Sequence, residues 1–289
     1  MGTTRDRRAA LLVALLCGLA AGAAARAHDQ PAPIELWGPF LPGTQTCLRL
    51  ISRAAHDCFD TVLGIEQRCH DAQGQGAGCD PEQRAAEISE AERVLRATLS
   101  DACALGQLPE LRYVGFFDAA LDLSRACGGE AQAAAAALYA PARAGPLSPA
   151  AARCLTASAA YGRKMMRFAL QRGAPVSERI ATRLLSGEEK KASILQVERE
   201  LSAARTRWSA GLLAQCPQFE SVYGRSADSL LRTLKQRTDC VLAQTYVHTG
   251  IACLDQVCGN GIPEGSEACD DGNRDEGDAC RNDCTAAPG

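Results

Sequence analysis

The sequence predicts a mainly α-helical protein: two tandem disulfide-stapled helical units followed by a small irregular cysteine-rich module. Three observations carry that expectation. Apolar residues recur every three or four positions through most of residues 44–257. Cysteines recur at matched spacings in the two halves of that stretch. The last part of the chain is dense in Cys, Gly and Asp and nearly devoid of large apolar side chains.

The chain opens with a basic head, Arg5-Asp6-Arg7-Arg8, an apolar run over residues 9–25, and Ala25-Arg26-Ala27 before His28. Those are the three parts of a signal-peptidase substrate, so residues 1–27 read as a cleaved signal peptide. The run is short and Ala- and Gly-rich for a membrane span, and Leu16 before Cys17 disfavours a lipoprotein site. Cleavage removes Cys17 from the fifteen cysteines and leaves fourteen, the even set that a fully paired framework in an exported chain requires.

Residues 28–43 form an N-terminal extension. The first helix is expected over residues 44–70, with Cys47, Cys58 and Cys69 spaced by eleven twice. Eleven residues come within about 20° of three full turns, so the three thiols share one stripe. The next helix has start signals in Asp80 as N-cap, Pro81 at its first position and Gln83 completing a capping box. It runs to Cys103, with Gly106 as its stop. The first unit then extends to residue 140, and residues 141–148 punctuate a linker with Pro141, Gly145 and Pro146. Ser148-Pro149 opens the second unit, residues 149–257, whose first helix is expected to close at Gly173 and Pro175.

A shift of 113 residues overlays Leu95 on Trp208, Leu99 on Leu212, Cys103 on Cys216, Phe117 on Leu230, Leu121 on Leu234 and Cys127 on Cys240. Earlier in each unit the shift is 107, overlaying Cys47-Leu48 on Cys154-Leu155. An insertion of six residues at or before residues 186–191 accounts for the change. Two copies are too few for a solenoid.

Parity limits the disulfides of the body. Each copy shares three cysteines, so each recruits a private partner; in the second copy that is Cys253. Cys58 and Cys69 lie about 16 Å apart along one helix and cannot bridge. Cys69 with Cys79 closes the intervening Gly-rich loop, which leaves Cys58 for the odd thiol. Parity leaves two equivalent choices, Cys47–Cys103 with Cys154–Cys216 or Cys103–Cys127 with Cys216–Cys240, and an antiparallel pair of helices about that loop favours the first. With that choice, the odd partners are Cys58–Cys127 and Cys240–Cys253.

Residues 258–284 read CGNGIPEGSEACDDGNRDEGDACRNDC. The segment resembles the myxobacterial cysteine-rich repeat family at Cys258, Gly259, Asn260, Gly261, Glu264, Glu267, Cys269, Asp270, Asp271, Gly272, Asn273, Gly277, Asp278, Cys280 and Cys284. It departs at Ser266 and Ala279, and it occurs once where tandem copies are common. The resemblance implies a secreted or surface protein of a Gram-negative bacterium and an extracellular accessory module, without implying a reaction. With Ile262 as its sole large apolar residue, the segment needs staples in place of a core. Cys258, Cys269, Cys280 and Cys284 are expected to pair among themselves. Asp270, Asp271, Asn273, Asp275 and Asp278 gather hard oxygen ligands in a turn that would suit calcium; a solvated acidic turn is the preferred alternative. Residues 285–289 are a tail.

Composition narrows the function classes. Residues 28–257 hold 25 basic and 25 acidic residues, while residues 258–289 hold eight acids and two arginines. No basic surface points to nucleic acid, and no second apolar run points to a membrane span in the mature chain. His28 would head the mature chain, but copper chelation there needs a second His on a β-sandwich. His56, His70 and His248 lack ligand spacing. HExxH, CxxC, CxxCH, GxSxG and phosphate-loop motifs are absent. Glu188-Glu189-Lys190-Lys191 reads as exposed helix surface, Met165-Met166 as helix core, and Tyr161, Arg163, Lys164 and Arg167 as a solvated basic face. The leading expectation is a non-catalytic exported protein, with no cofactor unless calcium, contacting an extracellular or cell-surface protein. The alternatives are a secreted enzyme with a site assembled by tertiary proximity and a calcium-binding protein acting through the acidic C-terminal turn.

Overall fold

A computed structural model describes residues 40–74, 78–140, 147–246, 249 and 253. The first 39 residues, including the signal region and His28, lie outside the described residues, as do His248 and the whole cysteine-rich segment. The described chain is mostly helical and contains no strand.

Helix α1, Pro42–Gly74, is 33 residues long and buries Cys47, Cys58 and Cys69 on one stripe, as the eleven-residue spacing requires. Helix α2 spans Pro81–Ala102. Its N-cap Asp80 accepts bonds from the amides of Glu82 and Gln83 through Oδ1. The capping box is only half made, because the Gln83 side chain donates to Glu87 instead of reaching back. The chain leaves the helix at Cys103, which is extended, three residues before Gly106.

Helix α3, Phe116–Ser124, runs through a π turn at Arg125–Gly129 into α4, Glu130–Leu138. The turn carries Cys127 and the pair Gly128-Gly129. A Cβ on Gly128 would sit 2.7 Å from Oε1 of Glu92, so glycine there lets the turn approach α2.

Helix α5 spans Pro149–Ala181, 33 residues like α1, and starts on a Ser148 cap whose hydroxyl accepts from the Ala151 amide. It does not stop at Gly173 or Pro175; it continues through both. Pro175 cannot donate to the carbonyl four residues back, yet its φ is already helical. Gly173 is used for proximity: a Cβ there would lie 2.5 Å from Leu242 Cδ1. Burial against the rest of the core outweighs the local helix-breaking preference. The turn after α5 passes through Arg183 and Gly187, both with positive φ, into α6, Gly187–Gln215. A short α7, Phe219–Tyr223, and the 19-residue α8, Ala227–Thr245, follow.

Helix α1 packs on α2 and α4, and α5 packs on α6 and α8. Helices α4 and α8 pack against each other, so residues of both halves share one buried core. Gly162 marks that seam, since a Cβ there would fall 2.6 Å from Leu138 and 2.7 Å from Leu234. A buried polar pair crosses it: Arg237 on α8 faces Glu130 on α4 at 3.4 Å, and Gln244 donates to the same carboxylate at 3.3 Å. Burying such a pair contributes little net stability, whereas removing one partner costs several kcal/mol.

Five disulfides tie the helices together: Cys47–Cys103, Cys58–Cys127, Cys69–Cys79, Cys154–Cys216 and Cys240–Cys253. Of the two choices that parity leaves open, this is the one with Cys47–Cys103 and Cys154–Cys216, not Cys103–Cys127 and Cys216–Cys240. Disulfides in this number are consistent with folding in an oxidising compartment. Among the described residues, no helix is long and apolar enough to cross a membrane.

Candidate functional site

Most residues singled out in the sequence do not converge. His56 is tucked against Tyr246 with ring centroids 6.1 Å apart, and burial pushes its pKa down to about 4. His70 stacks on Tyr139 at 4.8 Å. Met165 and Met166 are buried in the core, and Glu188, Glu189 and Lys191 are exposed. On the basic face of α5, Lys164 lies over the Tyr161 ring and Arg167 approaches Asp60 at 3.9 Å, while Arg163 is exposed. The acidic turn proposed for calcium lies outside the described residues. Within them, Glu130, Cys240 and Cys253 bring ligand-type atoms within 4.8 Å of one another. Cys240 and Cys253 are joined as a disulfide, so neither offers the thiolate that a metal needs.

Two concave sites occur among the described residues: a wide groove of about 920 Å³ between α1 and α2, and a smaller cavity between the C-terminal half of α5, the N-terminal half of α6 and α8. The smaller cavity encloses about 250 Å³. Val176 of α5, Ile194, Val197 and Leu201 of α6, and Leu242 of α8 give it aliphatic walls. No aromatic ring lines it, so stacking plays no part.

Four polar side chains enter this lining: Ser177, Glu198, Lys235 and Asp239. Lys235 donates to Glu198 Oε1 at 2.8 Å and to Asp239 Oδ2 at 2.7 Å. The 235/239 spacing is one helical turn, which places the pair on one face of α8. Lys235 and Asp239 are largely buried, whereas Glu198 is half exposed. Burial pushes the Asp239 carboxyl up to about 6, against the pull of the Lys235 ammonium, with Glu198 pushing the same way as burial. Burial works to lower the Lys235 pKa, but Asp239 and Glu198 outweigh it and the ammonium is held protonated. The group thus carries one cation against two carboxylates at neutral pH. A lysine held protonated in this way is not an amine nucleophile.

Ser177 is fully buried, and its hydroxyl has no hydrogen-bond partner. A serine on a helix ordinarily bonds to a carbonyl a turn back, as Ser158 does to Cys154 at 2.8 Å. An unmet buried hydroxyl costs about 1–3 kcal/mol; Ser177 is among the residues around the cavity, but its hydroxyl has no accessible surface.

Sequence reasoning missed all four groups. Lys235 and Asp239 read as one more i,i+4 pair, and Ser177 lies just past the Gly173/Pro175 signal taken for a helix end. A helix that continued past Pro175 would have turned Ser177 into the interior.

No protein-family model matches the chain, and no curated protein or solved structure matches it.

Proposed function

We propose that this is an exported, non-catalytic protein whose helical body carries and positions a C-terminal cysteine-rich accessory module, and that the module contacts an extracellular or cell-surface protein. The observation that carries the reading is the Cys240–Cys253 bridge. It fastens the chain to the buried face of α8 at Cys253, five residues before Cys258 begins the cysteine-rich segment.

The resemblance of residues 258–284 to myxobacterial cysteine-rich repeats supports an address outside the cytoplasm of a Gram-negative bacterium. The five bridges agree with export, as does the signal-peptide pattern of residues 1–27. The body in this reading is a duplicated helical unit. Its support is that α1 and α5 are equally long and that Cys47–Cys103 and Cys154–Cys216 each tie the start of a long helix to the C-cap of the next. Their sequence separations, 56 and 62, differ by the six-residue insertion.

The test compares the full chain with one ending at Val257, both expressed with residues 1–27. Both should be exported, begin at His28 and show no free thiol by intact mass. The full chain should associate with the cell surface or an extracellular partner, and the shortened chain should be released. Equal association of the two would overturn the assignment of contact to the module. A calcium-dependent rise in the full chain's melting temperature that the shortened chain lacks would add calcium binding by Asp270, Asp271, Asn273, Asp275 and Asp278.

A further inference from the structure

The wide groove between α1 and α2 plays no part in carrying a C-terminal module. Ala54, Asp57, Thr61, Gly64 and Arg68 recur along α1 at the three- and four-residue spacing that keeps them on one side of a helix. Glu87, Glu90, Ala91, Val94 and Thr98 do the same along α2. Between Ala54 and Arg68 the groove runs about 21 Å, the length of about four helical turns. It stays open because its accessible walls are small: Ala54, Gly64 and Ala91 are part-exposed, and Val94 is 50% exposed. The charged side chains of the lining are Asp57, Asp60, Glu87 and Glu90 against Arg68, an acidic excess.

The second half shows what chemistry fills the matching place. Under the offsets of 107 and 113 residues, Ala54, Thr61 and Leu95 correspond to Tyr161, Phe168 and Trp208. Phe168 and Trp208 meet edge to face across α5 and α6, with centroids 5.5 Å apart. A Cβ on Gly211 of α6 would sit 2.6 Å from the Tyr161 hydroxyl, so that ring too reaches from α5 to α6. Cations lie over the rings, Lys164 over Tyr161 at 4.6 Å and Arg172 over Phe168 at 5.2 Å. In the first half both features are reversed. Small or short side chains stand in place of rings, Asp57 stands where the second half has Lys164, and Asp60 where it has Arg167. This comparison rests on the duplicated-unit reading; the openness and acidity of the groove do not.

We propose that the α1–α2 groove is a docking site for a helical segment of a partner protein that presents aromatic and basic side chains on one face. The rings lie over Ala54, Thr61, Ala91 and Val94, and the cations pair with Asp57, Asp60 and Glu90. A straight groove between two helices suits a third helix, read through anchors at i, i+3, i+4 and i+7. Charge complementarity selects a basic partner over an acidic one. Asp57 makes no ion pair among the described residues, which leaves it to a partner's cation. Three arginines stand at the edge: Arg93 on Glu90 at 2.7 Å, Arg167 on Asp60 at 3.9 Å, and Arg163 beside Gly64. All three are exposed, and exposed pairs contribute little, so a partner's cations can exchange with them.

The test uses the full exported chain and, as probe, a fluorescently labelled, amidated peptide of residues 158–172. Its Tyr161, Lys164, Arg167 and Phe168 set rings and cations on one side of a helix. Fluorescence anisotropy should show saturable binding. A peptide with Tyr161→Ala and Phe168→Ala, and one with Lys164→Glu and Arg167→Glu, should each bind about tenfold more weakly. In the protein, Asp57→Lys with Asp60→Lys should weaken the parent peptide about tenfold and restore binding of the Glu-substituted one. Ala54→Tyr with Thr61→Phe should weaken the parent peptide about tenfold by filling the groove. Both double variants should melt within a few degrees of the parent, since the substituted side chains are exposed or part-exposed. Absence of saturable binding by the parent peptide would overturn the proposal, as would affinities untouched by both double variants. Tyramine binding as tightly as the peptide would make the groove a small-molecule site and overturn the helix assignment. So would a dimer in sedimentation that Ala54→Tyr with Thr61→Phe abolishes, since the occupant would then be a second copy. These readouts are separate from the cell-surface association that tests the C-terminal module.

Discussion

The two long helices α1 and α5 have the same length but are held differently. Helix α1 is pinned along its whole length, by Cys47–Cys103 at its start, Cys58–Cys127 in its middle and Cys69–Cys79 near its end. Helix α5 keeps only the first of these staples, Cys154–Cys216. Under the 107-residue offset, Cys58 corresponds to Met165 and Cys69 to Val176. Met165 fills the core, so one staple is replaced by packing. Val176 borders the α5–α6–α8 cavity, so the other is replaced by a volume that packing leaves open. The third elements differ in the same sense. Helix α8 is continuous, with Val241-Leu242 where the first half has Gly128-Gly129 and a π turn. Leu230 and Leu234 on α8 are fully buried, whereas their counterparts Phe117 and Leu121 are 84% and 43% exposed. One half closes by covalent staples around a broken third helix. The other closes by side-chain packing under an unbroken one.

The largest test of that contrast is removal of the equivalent staples. Replacing Cys154 and Cys216 by Ala releases a loop constraint worth about 4 kcal/mol in the chain-entropy estimate, with no second bridge on α5 to retain part of it. Replacing Cys47 and Cys103 should cost clearly less, because Cys58–Cys127 and Cys69–Cys79 still hold α1. Urea melts of the two double variants, with hydrogen exchange to locate the loosened half, decide it. Equal losses would mean that the bridges of the first half act independently.

Packing makes the next contrast. Leu234→Ala should cost about 2–5 kcal/mol, as for other fully buried leucines. Leu121→Ala at the matched position should stay within about 1 kcal/mol, given its exposure. A large loss at Leu121 would show that α3 is covered in solution.

Acid should also act unequally. His56, at the position where the second half has exposed Arg163, has a pKa lowered by burial to about 4 from 6.5. The unfolded chain therefore takes up the proton first. The stability conferred by neutral His56 is present above about pH 6.5 and lost as pH falls to about 4, up to about 3 kcal/mol. His56→Phe should flatten that part of the pH–stability curve, and an unchanged curve would assign the acid sensitivity to other groups.

The smallest expected effect is at the C-terminus. Ending the chain at Val257 should move the body's melt by no more than a few degrees, because Cys240–Cys253 is kept and the removed segment offers Ile262 as its sole large apolar side chain. A fall of ten degrees or more would mean that the segment packs on the helices.

Much of the helical body was legible because its information is periodic and local. The eleven-residue spacing of Cys47, Cys58 and Cys69, the Asp80-Pro81 and Ser148-Pro149 starts, and the parity of the body cysteines each restrict the chain without knowledge of distant contacts. Part of the connectivity follows from them, since a rigid helix forbids Cys58–Cys69 and a short loop favours Cys69–Cys79, whereas the choice between Cys47–Cys103 and Cys103–Cys127 depends on how the helices fold back on one another. The signal-peptide pattern and the resemblance of residues 258–284 are likewise properties of the sequence alone. What only the tertiary structure decided is the outcome where local preference and burial compete. Gly173 and Pro175 favour a stop locally, but the core seats Leu242 against Gly173 and α5 runs on to Ala181. That continuation carries Ser177 into the interior, and the parallel crossing of α5 and α8 brings it into one cavity with Asp239, 62 positions away in sequence. No periodicity within one helix encodes which faces of three helices will meet; the shared burial of apolar surface sets it, and the cavity follows from where that burial is incomplete.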